Sequence, residues 1–141
     1  MCRVRTPKAE LAPSWVQSKW PYGSYVTCFV VDGPYLFAGT NGVGVNFSTN
    51  GGISLASANS GFPYKFVSSL EYTNVNLFAG APRGILLSTN DGTSWSPADS
   101  GLADKNVSSL IASDTIVFAG TGVRAGRGLI QESQTLQFDP L

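Results

Sequence analysis

A sequence repeat of about 40 residues constrains the fold of this chain more than any other feature. The tripeptide Phe-Ala-Gly occurs three times, beginning at Phe37, Phe78 and Phe118. A valine lies 11 residues before each of these phenylalanines, at positions 26, 67 and 107. Such a repeat indicates stacked copies of one supersecondary unit, because a single unit of this size cannot bury its own hydrophobic face.

The repeated segments are short apolar runs interrupted by glycine and asparagine, which favours strands over helices. A period near 40 with four short strands in each unit is typical of β-propeller blades. We therefore predict an all-β fold of about three four-stranded antiparallel blades, either a partial propeller or half of an oligomeric one. The predicted repeat region covers residues 14–133, with units of about 26–57, 67–97 and 107–133. It is flanked by a mobile N-terminal arm over residues 1–13 and a C-terminal tail over residues 134–141.

The first two units each contain the pattern Ser-x-Asn-x-Gly-x-Ser after the third strand. The first copy consists of Ser48, Asn50, Gly52 and Ser54, and the second of Ser88, Asn90, Gly92 and Ser94, followed by Trp95. An asparagine side chain can accept hydrogen bonds from backbone N–H groups two residues on, and glycine can adopt positive φ. The pattern therefore predicts structural hairpin turns with positive φ near the glycines. A ligand or Ca²⁺ loop is the alternative interpretation.

This pattern resembles the Asp-box, or BNR, hairpin of β-propellers, with Asn at the usual Asp position. Similar units occur in sialidases, sortilin-type receptors, photosystem assembly factors and bacterial surface or secreted proteins. The motif most resembles the bacterial group, and this resemblance implies a non-catalytic scaffold or binding module for protein or carbohydrate partners, outside the cell or at its surface. The resemblance also leaves open an alternative, a fragment or relative of an Asp-box glycoside hydrolase of the sialidase or xyloglucanase type.

The residue types needed for catalysis are sparse in this sequence. The chain has no histidine, which removes Ser-His-Asp and Cys-His systems and any His-ligated metal site. Glu71 and Tyr72 form the only adjacent Glu-Tyr pair, and alternation along a strand sends the two side chains to opposite faces. The carboxylates occupy ordinary turn positions and do not form a pair by sequence. We therefore predict no enzyme activity and no cofactor or metal site.

One set of charged residues remains as a candidate binding site. Equivalent loops between the second and third strands carry Arg83, Arg124 and Arg127. Three guanidinium groups on one rim could recognise an anion. The alternative is that they are solvated loop charges.

Composition excludes several classes of partner. Charged residues make up only 13% of the chain and the formal net charge is zero, which excludes a nucleic-acid-binding surface. No apolar run approaches the roughly 18 residues of a membrane span, and the N-terminal residues lack the apolar core of a signal peptide. The compartment is therefore unassigned. The two cysteines form no disulfide framework, and Cys28 is predicted to be a small core residue.

The number of blades raises a geometric problem, because propellers usually have four to eight. We predict that Phe37, Phe78, Phe118, Trp15 and Trp95 are largely buried between blades. Residues 14–17 align with the outer strands of the first two units, and the third unit lacks a recognisable hairpin. Two interpretations are open. Either a homodimer closes a six-bladed ring, with residues 14–17 completing the last blade of the other copy, or the chain is a piece of a longer propeller.

Overall fold

The computed structural model describes residues 3–5, 14–19, 24–73, 76–122 and 131–137, the first and last of these ranges as strand backbone only. Within these ranges the protein is all β, with antiparallel strand pairing in every sheet and no helix. The described residues accordingly contain no helix of the length and apolar character that crossing a membrane requires.

The strands form three sheets in chain order and one separate strand pair. Sheet 1 contains β3 (Tyr25–Asp32), β4 (Tyr35–Asn41), β5 (Val45–Ser48) and β6 (Ala56–Ser57). Sheet 2 contains β7 (Ser69–Thr73), β8 (Asn76–Ala81), β9 (Gly84–Ser88) and β10 (Ser96–Pro97). Sheet 3 contains β11 (Val107–Ser113), β12 (Ile116–Gly122) and β13 (Gln131–Gln137), and the separate pair is β1 (Arg3–Arg5) with β2 (Trp15–Gln17). The first two sheets thus have the same strand order.

Sheet 2 is packed between the other two sheets. Its strand β7 lies against β3 of sheet 1 and against β11 of sheet 3. Side chains of β8 alternate between two hydrophobic cores, as strand geometry requires. Leu77 joins Phe37 in the first core, between sheets 1 and 2, whereas Phe78 joins Val107 in the second core, between sheets 2 and 3.

The glycine of each Phe-Ala-Gly copy allows neighbouring sheets to approach closely. A Cβ atom built on Gly39 would lie 2.7 Å from Cγ1 of Val67, in the segment leading into sheet 2. The same atom on Gly80 would lie 2.7 Å from Cγ1 of Val107 in sheet 3. Real Cβ atoms do not approach other carbons so closely, so the spacing of the sheets depends on the absence of a side chain at both positions.

A hydroxyl group connects each sheet to the next at equivalent positions. Thr27 Oγ1 donates to the carbonyl oxygen of Val67, and Ser68 Oγ donates to the carbonyl oxygen of Val107, each at an oxygen–oxygen distance of 2.5 Å. Thr27 and Ser68 occupy the same place in successive units. The sequence repeat is therefore also a repeat of contacts between sheets.

Burial of the aromatic residues separates the correct predictions from the wrong ones. Phe37, Phe78 and Trp95 are buried, as predicted. The prediction is wrong for Phe118, which is 40% exposed, and for Trp15, which is 66% exposed. Phe118 lies in the last sheet of the stack, with no further sheet to cover it among the described residues. Trp15 lies in β2, which pairs with β1 and not with one of the three sheets.

Two terminal segments also differ from the predictions. The segment interpreted as a mobile arm, residues 1–13, includes Arg3–Arg5, which pair in register with β2, while residues 6–13 lie outside the described residues. The expected tail from residue 134 begins inside β13, which pairs with β12 from Gln131 to Gln137. Both segments are polar and carry no hydrophobic pattern, so their pairing comes from backbone hydrogen bonds to a neighbouring strand.

Candidate functional site

The two Ser-x-Asn-x-Gly-x-Ser segments form hairpins with the same hydrogen bonds. In the second, Asn90 Oδ1 accepts from the backbone N–H of Ser94 at 2.9 Å and from Ser88 Oγ at 2.9 Å. Asn90 Nδ2 donates to Ser94 Oγ at 2.8 Å, and the N–H of Gly92 donates to Ser88 Oγ at 2.8 Å. Each of these bonds recurs in the first hairpin, among Ser48, Asn50, Gly52 and Ser54.

The turns differ in one detail from the sequence prediction. Each asparagine accepts from the N–H four residues on, and not two residues on. The predicted positive φ is present, at 83° for Gly52 and 78° for Gly92. The polar groups of the turn are engaged with one another, and the described residues hold no group of three His, Cys, Asp or Glu side chains that could bind a metal. This geometry is that of a structural turn.

Trp95 joins the second hairpin to the segment that follows sheet 1 through a hydrogen bond and a ring contact. Its indole Nε1 donates to the carbonyl oxygen of Ala58 at 2.7 Å. Its ring meets that of Phe62 edge-on, with centroids 5.1 Å apart. A buried indole with its N–H satisfied combines a large apolar contact with a directional one, so the hairpin holds a fixed position relative to sheet 1.

A cleft of about 460 Å³ lies beside this hairpin, between sheets 1 and 2. Its apolar wall consists of Tyr35 and Phe47, both half-buried. The ring of the buried Phe37 lies 6.4 Å from each of them, centroid to centroid, and holds them in place. The remaining lining is polar or small and comes from residues 57–60 and 90–93. The cleft therefore places aromatic rings opposite hydroxyl, amide and carboxylate groups.

A half-buried tyrosine, Tyr72, holds the one acidic side chain that lines the cleft among the described residues. The hydroxyl of Tyr72 donates to Asp91 Oδ1 at 2.7 Å, and its ring stacks on Phe37 with centroids 6.3 Å apart. Burial, the bond to Asp91 and the negative charges of Asp91 and Asp32 raise the pKa of the Tyr72 phenol. The phenol therefore stays protonated, and remains a hydrogen-bond donor to Asp91 at all physiological pH values.

These polar residues depart from the sequence repeat. The positions equivalent to Tyr72 are Val31 and Ala112, and the position equivalent to Asp91 in the first hairpin is Gly51. Sequence reasoning missed the cluster because Tyr72 and Asp91 are 19 residues apart, and Asp32 joins them only when sheets 1 and 2 stack. A polar residue that breaks an otherwise apolar repeat position is the signal that could have found it.

The other sequence candidates lie elsewhere. Arg83 is exposed and does not line the cleft, while Arg124 and Arg127 lie outside the described residues. Tyr72 stacks on Phe37 of sheet 1, whereas Glu71 approaches the backbone of Ala112 in sheet 3, so the two side chains occupy opposite faces. Burial raises the pKa of the Cys28 thiol, which packs against the first core and stays protonated.

The turn geometry predicts that Asn90→Asp is tolerated and Asn90→Ala is not. An aspartate can accept from the Ser94 N–H and from both serine hydroxyls, since the Ser94 hydroxyl can rotate to donate. Alanine removes every one of these bonds, and we expect a loss of about 1–2 kcal/mol in the free energy of unfolding. Urea denaturation of both variants measures the difference. A wild-type midpoint for Asn90→Ala would contradict the role assigned to this side chain.

Comparison with known proteins assigns no family to this chain. No protein-family model matches the sequence, and no curated protein matches it significantly. The fold has a similarity to the crystal structure of the computationally designed Ika4 protein, with a TM-score of 0.44 and 11% sequence identity. The match covers 81% of this chain and 92% of the designed one. A similarity of this size identifies neither a fold family nor a function.

Proposed function

We propose that the protein is a non-catalytic binding module whose three sheets are consecutive blades of a propeller-type array. Support comes from the repeated contacts between sheets, since the hydroxyl-to-carbonyl bond from Thr27 recurs from Ser68 one unit later. The two hairpins with matching hydrogen bonds add to this support. In such an array the repeats supply the framework, and binding groups are expected where the repeat is broken.

The cleft between the first two blades is the proposed binding site, and a short neutral carbohydrate is the proposed ligand. The single observation that carries the proposal is the pairing of the half-buried rings of Tyr35 and Phe47 with the polar tip of residues 90–93. A pyranose has an apolar C–H face that packs on an aromatic ring and hydroxyl groups at its edge. Asp91, held by Tyr72, can accept hydrogen bonds from two such hydroxyls.

Charge favours a neutral sugar over an anionic one. Among the described residues, Asp91 and the Tyr35 phenol are the only ionisable groups that line the cleft, and the Asp91 carboxylate would repel a carboxylate or phosphate. Arg83, which could attract an anion, does not line the cleft. These two observations favour a different ligand from the sialic acid suggested by the sialidase resemblance.

Calorimetric titration with neutral trisaccharides tests this proposal. The probes are cellotriose, xylotriose, laminaritriose and maltotriose, with 3′-sialyllactose as the anionic comparison. We expect at least one neutral probe to bind, and Tyr35→Ala to weaken that binding at least tenfold, because the ring supplies the stacking surface. Arg83→Ala is the matched control and should bind as the wild type does. No measurable binding of any neutral probe would contradict the proposed ligand.

Incubation with the same trisaccharides distinguishes the binding module from a glycoside hydrolase. One observation favours the hydrolase: the carboxylates of Asp32 and Asp91 both approach Tyr72, and glycosidases use two carboxyl groups across the scissile bond. The raised pKa of Tyr72 disfavours a tyrosine nucleophile, because the phenolate is the attacking form. We expect no new reducing ends after prolonged incubation with the bound probe. Hydrolysis that Asp91→Asn abolishes would replace the binding module with the hydrolase.

A further inference from the structure

We propose that a second copy of this chain docks head to tail on the first, sheet 3 of each copy on sheet 1 of the other, so that two chains close a ring of six sheets. A second copy is identified as the docking partner because the chain makes the same kind of contact between its own consecutive sheets. The inference rests on the propeller arrangement proposed above, but not on the carbohydrate ligand.

The two ends of the stack present apolar faces. On β3 of sheet 1, Phe29 is 48% exposed and Val31 is 64% exposed. On sheet 3, Ile111 and Phe118 are direct cross-strand partners and are 64% and 40% exposed. Exposed aromatic and branched side chains that share one sheet face indicate an interaction surface.

The sequence repeat indicates that the exposed face of sheet 3 matches the exposed face of sheet 1. Phe37 of sheet 1 shares the first core with Leu70 of sheet 2. One repeat later, Phe78 of sheet 2 shares the second core with Leu110 of sheet 3. A further step along the repeat leads from Phe78 to Phe118, and a step back from Leu70 leads to Phe29. Phe118 therefore has the same relation to Phe29 of a second copy, and the two exposed faces are the two halves of one interface.

The hydroxyl donors and the glycines between sheets also recur once in each repeat, and the third copy of each lies on the exposed face of sheet 3. Thr27 and Ser68 each donate to a valine carbonyl of the next sheet. The next member of the series is Ser108, which is exposed and donates within its own sheet to the Gly120 carbonyl at 3.1 Å. In the ring it faces the carbonyl of Val26 of the second copy. Gly120 provides the space for that valine, as Gly39 and Gly80 do for Val67 and Val107.

Strand pairing provides an independent observation. Sheets 1 and 2 each have four strands, whereas the described residues of sheet 3 supply three. Strand β2 lies one repeat before β6 and two before β10, the outer strands of sheets 1 and 2. Among the described strands, β2 pairs only with β1 and β13 pairs only with β12. Both β2 and β13 therefore have one edge without a described partner strand. We infer that β2 of each copy adds to β13 of the other as the missing outer strand.

The number of copies follows from the number of sheets in a closed ring. Faces that differ from each other produce either closed rings or open filaments. Radial arrays of sheets close with about four to eight blades. The described residues of each chain form three sheets, and six is the only multiple of three in that range. A ring of two chains is therefore the assembly that leaves no apolar end face exposed.

Light scattering after size-exclusion chromatography tests the ring on the 141-residue chain. Two chains of 14.9 kDa give a mass of about 30 kDa, which we expect for the wild type at micromolar concentration. Phe29→Asp and Phe118→Asp each place an unpaired charge in both interfaces and should shift the mass to that of one chain. Both positions are exposed in the single chain, so circular dichroism should show that these variants remain folded. Lys65→Asp, a change at an exposed loop residue between sheets 1 and 2, should remain a dimer.

Mixing the two variants separates head-to-tail docking from docking of like faces. The Phe29→Asp chain retains the sheet 3 face and the Phe118→Asp chain retains the sheet 1 face, so together they form one intact interface. We expect the 1:1 mixture to show two-chain species that neither variant forms alone. A monomeric wild type, an assembly of any other size, or dimers in either single variant would overturn the ring. Because the cleft lies within one chain, the monomeric variants should bind the trisaccharide as the wild type does, so each proposal can fail without the other.

Discussion

Replacing Phe37 with alanine is expected to destabilise the chain by about 3–5 kcal/mol, the range found for truncating a fully buried aromatic side chain. Phe37 has no exposed surface and contributes to the first core together with Leu77. Its ring also lies against Tyr35, Phe47 and Tyr72, so its loss removes the support of the cleft wall. Urea denaturation followed by tryptophan fluorescence measures the change in the free energy of unfolding.

Phe118 provides a matched control for Phe37, because the two residues occupy the same place in different units. Phe118→Ala should cost clearly less, about 1–2 kcal/mol, since the side chain is 40% exposed in the single chain. Both substitutions are made in a Phe29→Asp background, which is expected to keep the chain monomeric and so excludes effects of association. Equal losses for the two variants would mean that sheet 3 is covered within one chain, contrary to the arrangement described.

Replacing Gly80 with valine is expected to cost about 3 kcal/mol, at the upper end of the usual cost of overpacking a core. A Cβ atom at this position would lie 2.6 Å from Ser69 Oγ and 2.7 Å from Val107 Cγ1. Val107 is buried and belongs to the next sheet, so the collision can be relieved only by moving two sheets apart. The expected result is a lower melting temperature with more exposure of the second core to a hydrophobic dye.

Gly120→Val is the control for this substitution. The Cβ atom at Gly120 would collide with Ser109 Oγ, but Ser109 is exposed and its hydroxyl can rotate away. Among the described residues, the three atoms nearest to that Cβ all belong to Ser108 and Ser109 of the same sheet, and none belongs to a valine. We expect a stability loss of about 1 kcal/mol or less when both variants are measured as single chains. A larger loss for Gly120→Val than for Gly80→Val would contradict the idea that this glycine sets the distance between sheets.

The sequence is sufficient to predict the local structure and the side chains that pack between neighbouring units. Antiparallel strands, the positive φ of Gly52 and Gly92, and the burial of Phe37 and Phe78 follow from turn chemistry and from the repeat. The reason is that each of these features is determined within one unit or by its copy in the next. The Asp-box family itself, and its function, stay predictions.

The failures have a common physical cause. The repeat predicts burial of Phe118 and Trp15 as of their counterparts Phe37 and Trp95, but burial depends on whether a neighbouring sheet is present. The cluster of Asp32, Tyr72 and Asp91 depends on how two sheets stack, which a repeat pattern does not specify. The pairing of β13 beyond Ser133 relies on backbone hydrogen bonds, which leave no mark in the side-chain pattern.

The position of sheet 2 makes three similar units unequal in their dynamics. All residues of β8 and β9 are buried, since one core lies on each side of them. Their amide hydrogens can exchange with solvent only when an outer sheet detaches or the whole stack opens. In a single chain each outer sheet has one exposed apolar face and neighbours a sheet on one side only, so it can open while sheet 2 stays packed on the other side. Opening of the middle unit therefore requires an outer sheet to detach first, and we expect a single chain to unfold from its ends inward.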